Sequence, residues 1–556
     1  MSTPKGIRYI PAIDGLRAIA VISVMLYHLG FKWIPGGFLG VDLFFVISGY
    51  VITRLLLDSI QRSGGLDLRG FYAGRIRRLI PPLIFMLVVT AIFVGVWAPD
   101  SMRRFLTDTP FALTGLMNWW LVFKHQDYFE SFGRPPLLQH TWSLGVEVQF
   151  YLFWPLLLLF VLKFFGKKVI PTAALVIASF SGIALFLASI RADLSSNQNV
   201  SHVYFGTDTH SIGLFLGSAL AVSWIPQNLS PNIEKRAQDF IDFVGVFGLL
   251  GLLASFFLIQ ESDPTSYRIA FPLLGIFGCA IIMSIVHPAS RFAPILQHPM
   301  MVWIGERSYA IYLWHWIVFQ LTRPAQDIAG TTWALYSFRI LVVLALADIS
   351  LRWVELPIRN GLLSIWVRGM KYRTKEVQTR QKSTILAIFL LLSILMVSIS
   401  RNALNIANQN QKVVKDLFKE NQIAAVSQES GLWVIGDSVI LGIRNSLENT
   451  DHIGLINARV GRQAQELLNV IKHDKERMRG SKTILDLGNN NRLTTQEIED
   501  IFNELKDQPL VIVVNTAVPR EWRDYNNKLI AEVAMNYSNI RIVDWGQKSE
   551  NHPEYF

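Results

Sequence analysis

Residues 12–29 read AIDGLRAIAVISVMLYHL. A membrane-spanning helix needs about 20 predominantly apolar residues, and this run supplies them. It also carries Asp14, Arg17 and His28. Ionisable groups at membrane depth are costly, so each marks a functional position by default. On a helix, Arg17 and His28 fall about three turns apart on one face, roughly 16 Å along the axis. Arg17 then lies near one boundary and His28 deep towards the other. Arg17 can hold a phosphate or a developing negative charge, and His28 can act as a general base. A snorkelling arginine and a packing histidine are the plainer alternative, which the shared face disfavours.

The rest of the chain extends this pattern. It has 556 residues, of which 17% are charged, against about 25% in an average soluble domain. Candidate spans start near residues 12, 38, 79, 148, 169, 208, 239, 268, 302, 333 and 383, which makes eleven. The first run lacks a cleavage pattern and is expected to remain as a signal-anchor. The run 105–123 is poorer in apolar residues and reads as interfacial or re-entrant. Basic residues mark the cytoplasmic side. Arg54, Arg62, Arg69, Arg75, Arg77 and Arg78 follow the second span, Lys163, Lys167 and Lys168 follow the fourth, and Arg359 to Lys382 follows the tenth. Eleven spans put all of these on one side, with a cytoplasmic N-terminus and everything after about residue 401 outside. The formal charge of +10 is thereby explained by topology, and no nucleic-acid partner is expected. Cys279, the one cysteine, lies in an apolar run and reads as packing.

Five further runs carry polar groups. The second span opens with Gly36-Gly37-Phe38-Leu39-Gly40-Val41-Asp42; Asp42 is a candidate buried carboxylate, and the glycines allow close helix approach. Arg75 and Arg78, in Gly74-Arg75-Ile76-Arg77-Arg78, can bind the phosphates of a nucleotide-bearing donor; a topology signal or a lipid-headgroup contact explains them equally well. His140-Thr141-Trp142-Ser143 leads to Glu147 at an outer boundary, where Glu147 can position or deprotonate a sugar hydroxyl. Tyr309 to Trp316 carries His315, and Trp353-Val354-Glu355-Leu356-Pro357 closes the tenth span. No metal-ligand spacing is expected to bind an ion.

In order and spacing these runs resemble the acyltransferase-3 family of membrane O-acyltransferases over roughly residues 8–360. The resemblance implies acetyl-CoA as donor substrate with no permanently bound cofactor. It also implies an essential Arg–His pair at Arg17 and His28, and an Arg-x-x-Arg signature at Arg75 and Arg78. Asp14, Asp42, His140 and Ser143 are expected to support the site. One departure is visible: many members have Thr-Arg where this chain has Thr209-His210.

After residue 401 the character changes. Residues 361–382 read as a basic cytoplasmic loop, 383–400 as an additional span and 401–430 as a helical linker. From 431 to 556, short apolar strands at 432–435, 483–487, 510–514 and 540–543 alternate with amphipathic stretches, which predicts an α/β domain with a parallel sheet. Gly436-Asp437-Ser438 sits at a strand-to-helix turn, where a serine stands exposed at the carboxyl end of the sheet. With Gly461 and Gly488-Asn489-Asn490 it resembles the SGNH hydrolase family, a flavodoxin-like α/β fold. That resemblance implies Ser438 as nucleophile, and the Ser438 amide, the Gly461 amide and the Asn490 side chain as oxyanion hole. The family's Asp-x-x-His follows a run like His552-Pro553-Glu554-Tyr555-Phe556, where this chain stops. The expectation is a truncated sequence or an outer domain without full catalysis, with His552 as a weak substitute base.

The expected activity is a multi-pass inner-membrane O-acetyltransferase. It would move acetyl to hydroxyls of an extracytoplasmic polysaccharide or lipid-linked glycan, with lipopolysaccharide O-antigen first and peptidoglycan as alternative. A transporter with an attached esterase or glycan-binding module is the reading from another class.

Overall fold

The computed structural model describes residues 9–63, 65–123, 135–194, 200–260, 264–323, 333–420, 431–448, 453–459, 461–518 and 522–550. The chain forms two compact units that divide between Ala407 and Asn408.

The first unit is helical: α1 (Pro11–His28), α2 (Gly40–Ser63), α3 (Leu68–Trp97), α4 (Met102–Thr114), α5 (Met117–Phe123), α6 (Trp142–Phe164) and α7 (Ile170–Leu194), then α8 (Val200–Phe205), α9 (Thr207–His210), α10 (Ile212–Ser223), α11 (Lys235–Leu258), α12 (Pro264–Ile285), α13 (Pro299–Leu321) and α14 (Trp333–Ile349). Helix α15 (Lys375–Glu420) is one rod through the last part of the expected loop, the expected span and the first part of the linker, and it crosses the unit boundary. Among the described residues, seven helical stretches are long and apolar enough to cross a membrane: those containing α2, α3, α6, α7, α11, α12 and α14. The other four expected spans are also helical, but each departs from a plain apolar rod. Helices α1 and α13 carry buried polar groups, α10 is only 12 residues long, and α15 is charged at both ends.

The run 105–123 is a broken pair. Helix α4 ends on Gly115, whose φ of +71° closes the helix, and α5 starts two residues later. A π-wound irregularity, Ser350–Glu355, follows α14 and turns Glu355 inward, where Arg359 Nη1 donates to its Oε1 at 3.0 Å. Such bulges concentrate at functional sites.

Close helix approach fixes the bundle. A Cβ on Gly49 would stand 1.9 Å from the Leu214 carbonyl oxygen, and one on Gly305 would stand 1.8 Å from that of Asp14. Small residues at such crossings let backbones touch, which is how helices associate without a hydrophobic drive between them. These contacts lock α2 against α10 and α1 against α13. Helix α2 is the inner rod, with 78% of its apolar stretch inside the bundle against 28% for α7. Phe180 and Phe186 on α7 are correspondingly exposed and suited to lipid.

The second unit is a five-stranded parallel sheet in the order β2-β1-β3-β4-β5, from β1 (Leu432–Gly436), β2 (Ile453–Ala458), β3 (Thr483–Asp486), β4 (Val511–Val514) and β5 (Ile540–Val543). Parallel strands covered on both faces need continuous apolar runs, and Trp433, Ile435, Leu485, Val511 and Val513 are fully buried. The connecting helices are α16 (Ser438–Gly442), α17 (Arg444–Glu448), α18 (Ala464–Asp474), α19 (Thr495–Glu504), α20 (Arg523–Ala534) and α21 (Trp545–Lys548). Thr494 and Glu497 form a reciprocal capping box that starts α19. The chain leaves β1 for the β2 edge and returns to β3. The carboxyl ends of β1 and β3 therefore flank the crevice where open α/β sheets bind ligands.

Candidate active site

In the helical unit, residues from α1, α2, α3, α6 and α13 enclose an open cavity of about 810 Å³, counting the solvent at its mouth. Arg17, Arg75 and Arg78 line it together with Ser48, Ser143, Glu147, Tyr151, Ser308, Tyr309 and Tyr312. Three guanidinium groups and one carboxylate thus share one space, although they come from three separate helices. Behind Arg17, Asp14 Oδ1 lies 3.6 Å from Arg17 Nη1, and Tyr9 donates to Asp14 Oδ2 at 2.7 Å. Ser48 donates a short hydrogen bond to Glu147 Oε1. Glu147 and Tyr151 stand one turn apart on α6 and present one face.

His28 does not line this cavity. It sits in a second polar group, joined to the first through Tyr312. Ser143 Oγ and the Tyr312 hydroxyl are 2.7 Å apart, and that hydroxyl donates to the His140 carbonyl at 2.7 Å. The Tyr312 carbonyl accepts from His315 Nδ1 at 2.7 Å, and His315 Nε2 lies 3.0 Å from His28 Nδ1. His140 Nε2 donates to the Leu313 carbonyl at 3.1 Å, while its buried Nδ1 has no hydrogen-bond partner among the described residues. His28 also packs edge-on against Trp316, with ring centroids 4.8 Å apart. The Arg17–His28 pair of the sequence reading is therefore two stations on one helix rather than one thin site.

Asp42 stands apart from both. Its Oδ1 lies 2.9 Å from His210 Nε2, and His210 Nδ1 donates to the Tyr204 carbonyl at 2.6 Å, with the ring stacked on Phe271. The Thr209-His210 departure thus supplies a buried partner for Asp42 and ties α2 to the broken α8–α10 segment.

In the second unit, Ser438 opens α16 directly after β1, and Asp437 caps it by accepting from the Val439 amide at 2.9 Å. Asn490 reaches the same turn from β3, its Nδ2 donating to Asp437 Oδ2 at 2.6 Å and to the Arg462 carbonyl at 3.0 Å. Gly461, after β2, holds φ at +74°, a conformation that favours glycine. Ser438, Gly461 and Asn490 therefore converge on one crevice, but the Asn490 amide is committed to protein acceptors. Asp486 lies against Asp437 and accepts from Asn489 Nδ2 at 2.8 Å. Burial and the neighbouring Asp437 carboxyl push Asp486 well above the usual carboxylate range, and burial raises Asp437 as well. Among the described residues of this unit, the histidine is His473, which pairs with Asp474; His552 lies outside the described residues.

Sequence reasoning missed Ser48, Tyr151, Tyr309 and Tyr312 as cavity residues, and the bond from His28 to His315. The i,i+4 spacing of Glu147 and Tyr151, and the i,i+3 spacing of Tyr312 and His315, were the available signals.

Comparison with known proteins agrees with this architecture. Residues 10–352 match the acyltransferase-3 family, described as an acyltransferase domain. The chain is 33% identical over 570 residues to "O-acetyltransferase OatA" of Staphylococcus aureus strain MRSA252, covering 99% of this chain and 92% of that protein. It is 32% identical over 587 residues to "Putative O-acetyltransferase SACOL0978" of strain COL, covering 99% and 94%. The chain is a multi-pass membrane acyltransferase and belongs to the acyltransferase-3 family.

Proposed function

We propose that the protein transfers acetyl from cytoplasmic acetyl-CoA to hydroxyls of an extracytoplasmic glycan, and that this glycan is cell-wall peptidoglycan. The observation that carries the reading is the cavity in which Arg17, Arg75 and Arg78 meet Glu147 and Ser48. Arginine forks bind phosphate in a bidentate manner, which suits the phosphates of a coenzyme A thioester. The polar chain through Tyr312 links that cavity to His28, where a neutral imidazole can accept the proton of an attacking hydroxyl. The new ester C–O bond forms on that carrier hydroxyl as the C–S bond breaks, and the thiol leaves as free coenzyme A. Ser438 Oγ then attacks that carrier ester and frees the carrier hydroxyl, and a glycan hydroxyl attacks the acetyl-Ser438 ester and frees the serine. The preference for peptidoglycan over lipopolysaccharide rests on the relatives, which are named O-acetyltransferases of Staphylococcus aureus.

The test presents labelled acetyl-CoA to inverted membrane vesicles loaded with peptidoglycan fragments. Label should appear on the enclosed glycan and be released by mild base. Label that stays outside, or that enters only as free acetate, refutes the reading.

A further inference from the structure

We propose that His315 is the positioning residue that fixes the tautomer of His28 and leaves His28 Nε2 as the proton acceptor. The inference rests on the reading of His28 as the general base and adds what makes it one.

The hydrogen bonds decide the protonation pattern by elimination. The Tyr312 carbonyl is an acceptor only, so His315 Nδ1, 2.7 Å away, carries a proton and donates. His315 is fully buried, and an imidazolium there would be expensive. The neutral ring, with its proton on Nδ1, has a lone pair on Nε2. That lone pair faces His28 Nδ1 at 3.0 Å, so His28 Nδ1 must donate. A neutral His28 with its proton on Nδ1 has an unprotonated Nε2, the atom a general base needs. Were His315 held in the opposite tautomer, His28 would carry its proton on Nε2 and could not act.

The same bond serves in the transition state. When Nε2 takes a proton, the positive charge spreads to Nδ1–H, and its bond to His315 becomes charge-assisted. A buried group that orients a catalytic imidazole and stabilises its charged form is the third member of any nucleophile–base arrangement. Here a histidine takes the place that a carboxylate usually holds. The anchor is rigid, because Tyr312 and His315 lie one turn apart on α13 and the Tyr312 hydroxyl is itself tied to the His140 carbonyl.

Three substitutions separate this role from packing. His315→Gln can offer its Oε1 where Nε2 stood and keep accepting from His28. His315→Asn reaches only the Nδ1 position, so it can contact Tyr312 but not His28. His315→Leu keeps the bulk and accepts nothing. The assay is acetyl transfer by full-length enzyme in inverted vesicles with labelled acetyl-CoA, beside His28→Ala. Leu and Asn should lower kcat about 10- to 100-fold with KM for the donor unchanged, the loss of one bond to a developing charge. Gln should stay within about threefold of wild type. Equal activity of Asn and Gln, or losses confined to KM, would overturn the positioning role while leaving His28 as base. Full activity of His28→Ala would remove the base reading and this inference with it.

Discussion

Replacing Gly305 with alanine tests the geometry without touching a polar group. A Cβ at that position would stand 1.8 Å from the Asp14 carbonyl oxygen and 2.4 Å from its carbon, and real Cβ contacts essentially never fall below 3.0 Å. The obstacle is helix backbone, which no rotamer change can move aside. Helices α1 and α13 must therefore part by about 1.2 Å at the crossing, an overpacking cost of about 1–3 kcal/mol that a bundle of this size survives. The same two helices carry the His28–His315 contact, now 3.0 Å, and α1 carries Arg17 into the cavity one turn beyond Asp14. A misplacement of about 1 Å in a catalytic constellation costs on the order of 100-fold. Gly305→Ala should thus lose about two orders of magnitude in acetyl transfer while the purified protein still unfolds cooperatively. Gly369, whose Cβ would meet nothing within 4 Å, is the control and should tolerate alanine. Transfer in vesicles and thermal unfolding in detergent give the two readouts. Near-normal transfer by Gly305→Ala with an unchanged unfolding midpoint would refute the claim that this crossing sets the site.

Other outcomes follow from the second unit and the cavity. Asp486 binds its proton more tightly in the fold than in the unfolded chain, where a carboxyl titrates near 4. Its contribution to stability is therefore full at low pH and declines as pH rises through the unfolded value towards the raised folded one. Asp486→Asn should protect the β1 and β3 amides of the full-length protein against hydrogen exchange at pH 7 and change them little at pH 4; equal effects at both would contradict this. Asn490→Ala removes the amide that ties the Asp437 turn to the Arg462 backbone, and the resulting misplacement of Ser438 should lower glycan acetylation on the order of 100-fold, without reducing consumption of the donor by the membrane unit over a single turnover. Arg75→Gln should raise KM for acetyl-CoA by about 10- to 100-fold, with a smaller change in kcat, if it binds a donor phosphate.

Much of this was legible in the sequence. Charged residues inside an apolar run are conspicuous, so Asp14, Arg17 and His28 stood out, as did the strand–turn–helix around Ser438. The parallel sheet could be read because its strands are short apolar runs between amphipathic helices. What stayed hidden depends on tertiary approach. His28 and His315 are 287 positions apart, and no periodicity pairs them. Asp42 looked like a site residue because it is a carboxylate at membrane depth; only the bundle shows that it answers His210. The apolar run near 208 concealed two breaks, at Gly206 and Ser211, since hydropathy reports burial and not continuity of the helix. The region 105–123 was ambiguous for a related reason: Gly115 splits it into two short helices.

The central claim is that one chain carries acetyl from the membrane unit through Ser438 to an outer glycan. The direct measurement is base-released acetate per unit of peptidoglycan, from cells that have no other O-acetyltransferase and express wild type, His28→Ala or Ser438→Ala. The account predicts acetate with wild type and its loss with either variant, at equal protein levels. Acetate that persists in both variants would contradict it.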